Sequence, residues 1–122
     1  MVKRMLSHYG DDTCSSCVVA GDFIFLAHHG GGFDKQDIAH QMRETFEGMK
    51  KTLNTVDATL NDMVQINLYM KDLSEFRIAR DIFYEYFDKD SFPARMGLAI
   101  EFVDPRCLCM MDGVAYKPNN EV

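Results

Sequence analysis

Val64-Gln65-Ile66-Asn67-Leu68-Tyr69-Met70-Lys71-Asp72-Leu73 decides the architecture of this chain. Val64, Ile66, Leu68 and Met70 alternate with Gln65, Asn67, Tyr69 and Lys71, the period-two pattern of a strand with one apolar face. Asp72 and Glu75 then fit a capping box, with Asp72 accepting from first-turn amides and Glu75 reaching back. The helix this predicts carries Phe76, Ala79, Phe83 and Tyr86 on one side and ends by Asp90, ahead of Pro93.

Upstream, Ser16 to Ala20 and Phe23 to Ala27 read as two strands joined by Gly21-Asp22, a short hairpin signal. From Asp37, apolar residues at Ile38, Met42, Phe46, Met49, Leu53 and Val56 make one stripe of an amphipathic helix. Downstream, two closing strands are expected, about Arg95 to Phe102 and Cys107 to Tyr116, linked through Asp104-Pro105. The order (hairpin, helix, strand, helix, two strands) is that of an α+β sandwich with both helices on one sheet face. Met96, Leu98, Ile100 and Phe102 are expected to face the core. In the last strand, Cys107, Cys109, Met111, Gly113 and Ala115 share one face, while Leu108, Met110, Val114 and Tyr116 make the other largely apolar too. Two helices cover only one side, so the second face needs a partner subunit.

The chain has 122 residues, the size of a single domain spanning 1–122. Its N-terminus is too poor in apolar residues for a signal peptide and no stretch approaches a membrane span, so a cytoplasmic address without a membrane partner is expected. The net charge of −6, with 13 basic residues scattered among 19 acidic ones, argues against a nucleic-acid partner. Cys14-x-x-Cys17 and Cys107-x-Cys109 invite a metal or redox reading. However, i and i+2 in an extended strand stand about 6–7 Å apart, which needs a turn for chelation. Cys17 is moreover followed by strand rather than by a helix start. Buried thiols and no metal are the expectation.

Arg95 emerges just after Pro93, a residue confined to a strand's first position or the turn before it. Its planar fork of donors matches a carboxylate in two parallel hydrogen bonds. The ordinary role for an arginine so placed is a surface or interface salt bridge.

Val64 to Leu73, Phe92-Pro93-Ala94-Arg95, and the terminal strand ending Asp112-Gly113-Val114-Ala115-Tyr116 resemble the Rid family (YjgF, reactive intermediate deaminase). Its members also carry the older names translation inhibitor and endoribonuclease L-PSP. The resemblance runs from about Gly21 to Tyr116. It implies a chorismate-mutase-like (YjgF-like) sandwich of a mixed six-strand sheet with two helices on one face. It also implies a homotrimer with clefts between neighbouring subunits and no metal or organic cofactor. By the same resemblance, Arg95 holds the carboxylate of a 2-imino, 2-enamino or 2-oxo acid, and the imines are hydrolysed to 2-oxo acid and ammonia.

Departures from the family pattern fall at the site. A glutamate fifteen residues beyond the matching arginine positions water in the deaminating members; here that position is Met110, which cannot relay a proton. Asp112 lies two residues on, on the same strand face and displaced by about 6–7 Å. Its alternative role is a buried or interface hydrogen bond. The family's cysteine two residues past the arginine is Gly97, expected to enlarge the pocket. A cleft-closing tyrosine aligns near Cys14, and a Ser-Gly pair becomes Ala27-His28, followed by His29. His28 or His29 is a candidate general acid or base near neutral pH, and Cys14 a candidate nucleophile. Substrate-binding candidates are thus Arg95, Gly97, Cys14, His28 and Met110, and catalytic candidates Asp112 and His28. Two readings stay open: an imine deaminase or related small hydrolase using altered residues, or a non-catalytic trimer that binds a carboxylate or only assembles with partners.

Overall fold

The computed structural model describes residues 2–118. Six strands, β1 (Val2–Arg4), β2 (Cys17–Ala20), β3 (Phe23–His29), β4 (Met63–Met70), β5 (Ala94–Ala99) and β6 (Cys109–Tyr116), form one mixed sheet in the order β1-β2-β3-β6-β4-β5. Two helices, α1 (Ile38–Asn54) and α2 (Phe76–Tyr86), cover one face of it. The α+β sandwich read from the sequence is therefore the observed one. β1, which the residue pattern did not reveal, pairs antiparallel with β2 at the sheet edge.

Each helix begins and packs for local reasons. Asp37 caps α1 by accepting from the His40 amide, and Ile38, Met42, Phe46, Met49 and Leu53 of its apolar stripe are buried. The Phe46 ring stacks on Tyr86 and meets Phe83 edge-on, joining the two helices, with a bidentate Arg43–Glu85 pair at 2.8 Å on their outer side. At the start of α2 the structure departs from the expected capping box. Asp72 accepts from the Ser74 amide and opens a short 3-10 turn, Leu73–Glu75. Glu75 is itself the residue before α2, and its side chain makes no capping bond.

The central strand is β6, inserted between β3 and β4 and antiparallel to both, while β5 runs parallel to β4 after the α2 crossover. Cys109, Met111, Gly113 and Ala115 of β6 face the helices and are buried; Met110, Asp112, Val114 and Tyr116 face the open side. Gly113 is obligatory here, because a Cβ would collide with the Gln65 carbonyl oxygen of β4. Buried Gln41 fixes the link into β6, donating to the Lys35 and Arg106 carbonyls and accepting from the Leu108 amide.

One expectation fails clearly. Met96, Leu98 and Ile100 are not core: they are 58%, 38% and 41% exposed, and the strand ends at Ala99, before Phe102. The alternation was sound, but β5 is an edge strand. Met96 and Leu98 register with Asn67 and Tyr69 on the face without helices. With Phe23, Phe25 and Tyr116, also exposed, they make that face broadly apolar. Cys17, Cys107 and Cys109 are buried thiols, and burial pushes Cys107 up to about 11 and Cys109 up to about 12. No helix among the described residues is long and apolar enough to cross a membrane.

Candidate functional site

A β-bulge decides which histidine meets solvent. Leu26 pairs with Gly113 and His29 with Met111, so β3 carries one residue more than β6 between these points. Plain alternation from buried Leu26 would turn His28 inward and His29 outward; the extra residue exchanges them. His29 is accordingly 1% exposed, with Nδ1 donating to the Ala27 carbonyl at 2.7 Å and Nε2 hydrogen-bonded with the Thr52 hydroxyl at 2.7 Å. That hydroxyl can donate or accept, so it is burial that favours the neutral imidazole, lowering its pKa to about 4. The two histidines therefore do not face one cleft together, as the sequence suggested. His29 is a structural residue and His28 alone lies on the open side.

His28 lines a cleft of roughly 620 Å³ with Tyr9, Asp11, Tyr69, Met110 and Asp112, and Ile100 to Val103 line it too. Met110 and Asp112 do share this cleft, as their strand face implied. The Asp112 carboxylate accepts from Asn67 Nδ2 at 2.8 Å and from the Tyr69 hydroxyl at 2.9 Å, because Asn67 registers with Asp112 and Tyr69 with Met110. Burial and the adjacent Asp112 carboxylate push the Tyr69 phenol up. Cys14 lies in a neighbouring groove and reaches the cleft only through Tyr9, whose hydroxyl stands 3.1 Å from its Sγ. That contact pushes the Tyr9 phenol up to about 12.

Tyr9 was not legible as a site residue. It is placed by His8, whose ring stacks on His29 at 3.8 Å and whose Nε2 donates to the His28 carbonyl at 3.0 Å. Tyr69 and Asn67 were read only as the outward side of β4. Their alternation carried the signal, but the partner Asp112 follows from the β4–β6 register, which no local pattern gives.

Arg95 stands apart from all of these. It registers with buried Ile66, so it lies on the helix face of β5, its guanidinium 5.3 Å from the Phe76 ring centroid and 5.2 Å from that of Phe83. Gly97 is on the same face, and a Cβ there would meet Phe76 at 3.2 Å. The room that the missing side chain frees is taken by Phe76 and does not enlarge the cleft. Within one chain, then, Met110, Asp112, His28 and Tyr9 come together, whereas Arg95 and Gly97 lie across the sheet. Among the described residues no three His, Cys, Asp or Glu side chains converge as a metal-ligand set.

A six-stranded mixed sheet backed by two helices on one face defines a recognisable class of small α+β proteins. The family described as Endoribonuclease L-PSP matches residues 7–117, and the chain belongs to it. A RutC family protein of Pyrococcus abyssi is 33% identical over 109 residues, 84% of this chain and 85% of that protein. A RutC family protein of Pyrococcus horikoshii is 30% identical over a similar span, 84% and 86% of the two chains. Among solved structures, a Streptococcus pyogenes protein described as a member of the yjgF family superposes with a TM-score of 0.86 at 28% identity. It covers 97% of this chain and 98% of that one. A Neisseria meningitidis member, at 14% identity and a TM-score of 0.88, shares the fold.

The buried His29 gives a signed prediction for stability. It titrates near 6.5 when unfolded and near 4 when folded, so between these values the unfolded state binds more protons. Its contribution is fully present above about pH 6.5 and is lost as pH falls towards 4, at up to about 1.4 kcal/mol per pH unit. Denaturant unfolding of wild type and His29→Gln across this range should show the wild-type slope exceeding the variant's. Equal slopes would mean that His29 is not held neutral.

Proposed function

We propose that this chain binds a small 2-imino or 2-oxo acid in a cleft shared between two copies of a homotrimer, and hydrolyses the imine to 2-oxo acid and ammonia. One observation carries the reading: Arg95 and the cleft holding Asp112, His28 and Met110 lie on opposite faces of one sheet. A site that uses both needs two chains, and the apolar open face offers the surface for joining them. Arg95, near the Phe76 and Phe83 rings at an edge strand, would present its donors to the carboxylate of a ligand held in the neighbouring copy's cleft. The net charge of −6 gives no support to a nucleic-acid substrate, whatever the family's older name.

In the hydrolysis, water oxygen bonds to the imine carbon as the C=N π pair passes to nitrogen. Water passes one proton to the nitrogen and leaves a hydroxyl on the carbon. The nitrogen takes a second proton, the C–N bond breaks with its pair leaving on ammonia, and the hydroxyl gives back a proton as it becomes the carbonyl of the 2-oxo acid. His28 and Asp112 are the groups assigned to exchange protons here; Asp11 and Glu101 also line the cleft. Met110 cannot exchange protons, and it favours the second reading, a non-catalytic carboxylate-binding or interaction trimer.

Assembly is checked by light scattering at micromolar concentration, which should report about three times the 14.0 kDa chain mass; a stable monomer contradicts the reading. Arg95→Ala should abolish binding of 2-oxobutanoate, since a charge-assisted bidentate contact is worth a few kcal/mol, roughly all a weak ligand has. Met110→Glu should raise imine hydrolysis about a hundredfold. If wild type is already as fast as that variant, the loss of the acid at 110 is not what limits the reaction.

A further inference from the structure

Asp112 is the one carboxylate of β6, on a face that also carries Phe23, Phe25, Val114, Met96 and Leu98. Each of its oxygens is held by one donor, Oδ1 by Asn67 Nδ2 and Oδ2 by the Tyr69 hydroxyl, both neutral groups. Each oxygen keeps acceptor capacity for one more partner. Among the described residues no Lys, Arg or His side chain forms an ion pair with it. The result is a partly buried carboxylate, fixed in direction, beside apolar Met110 and open to a cleft of roughly 620 Å³. An aimed acceptor with a weakly solvated flank suits a cationic donor, and charge pairing strengthens as water is displaced.

We propose that Asp112 is the counter-ion of a protonated nitrogen on the ligand, positioned by Asn67 and Tyr69, so that the cleft selects small carboxylic acids bearing an iminium or ammonium at C2 over the matching 2-oxo acids. This rests on the reading above, in which Arg95 of another copy takes the carboxylate. It adds a second, opposite charge to the recognition and assigns the ligand as a zwitterion. A carboxylate beside a C=N bond favours its protonated form, the form that water attacks. Asp112 thereby acts on the nitrogen, a different task from orienting water at position 110. The raised Tyr69 phenol is consistent with a fixed anion beside it.

The experiment is a calorimetric titration with a matched pair, L-2-aminobutanoate and 2-oxobutanoate, which differ only in the group at C2. Wild type should bind the amino acid about tenfold or more tightly than the oxo acid. Asp112→Asn, nearly isosteric, should erase that margin and leave 2-oxobutanoate within about threefold of its wild-type affinity. Tyr69→Phe should lose part of the margin. In Asp112→Asn the ultraviolet titration of Tyr69, read as the difference from the same protein carrying Tyr69→Phe, should move to lower pH. That movement reports the lost anion in a protein that is still folded. Equal affinities in wild type, an equal weakening of both ligands by Asp112→Asn, or an unmoved Tyr69 titration overturns the inference. Undiminished binding of 2-oxobutanoate by Arg95→Ala overturns the carboxylate reading instead and is separately visible.

Discussion

The close approach of β6 to β4 at Gly113 sets everything else. No side chain fits between that α-carbon and the Gln65 carbonyl, so the two backbones meet there in one register. A shift by one residue would turn Met111 and Ala115 out to the open face and bring Met110 and Asp112 under the helices. The same register places Asn67 against Asp112 and Tyr69 against Met110. Core and cleft are thus two sides of one constraint, and the strand that lines the cleft also closes the core.

The asymmetry of the sheet follows from the same arrangement. Two helices of ordinary length can bury one face of six strands, and Phe46 with its aromatic neighbours completes that layer. The other face exposes Phe23, Phe25 and Tyr116 on one side of the Asp112 cluster and Met96 and Leu98 of β5 on the other. That uncovered apolar side is what the proposed assembly of copies would bury.

Much of this was legible in the sequence wherever one physical signal dominated. The stripe from Ile38 to Leu53 and the alternation of Ile66, Leu68 and Met70 each bury the side they indicate. Failures came where a non-local fact decides. Met96 and Leu98 alternate like core residues, but only strand order shows β5 to be an edge. His28 and His29 exchange faces through a bulge with no local mark. Gly97 looked like added space until Phe76 was seen to occupy it. At the site, the sequence singled out Asp112 and Met110 correctly as neighbours, but not the Asn67 and Tyr69 partners supplied by another strand.

The central claim is that the working site joins Arg95 of one copy to Asp112 of the next. Co-expressing Arg95→Ala chains with Asp112→Asn chains under separate tags, and isolating the mixed assemblies, tests it directly. In a trimer whose sites lie between neighbours, any mixture of the two chains leaves one site with both residues intact. Calorimetry with L-2-aminobutanoate should then find about one wild-type-affinity site per mixed trimer and none in either parent. If both residues serve the same site from the same chain, every site in the mixture carries a substitution. Mixed assemblies that bind no better than the parents would contradict the account.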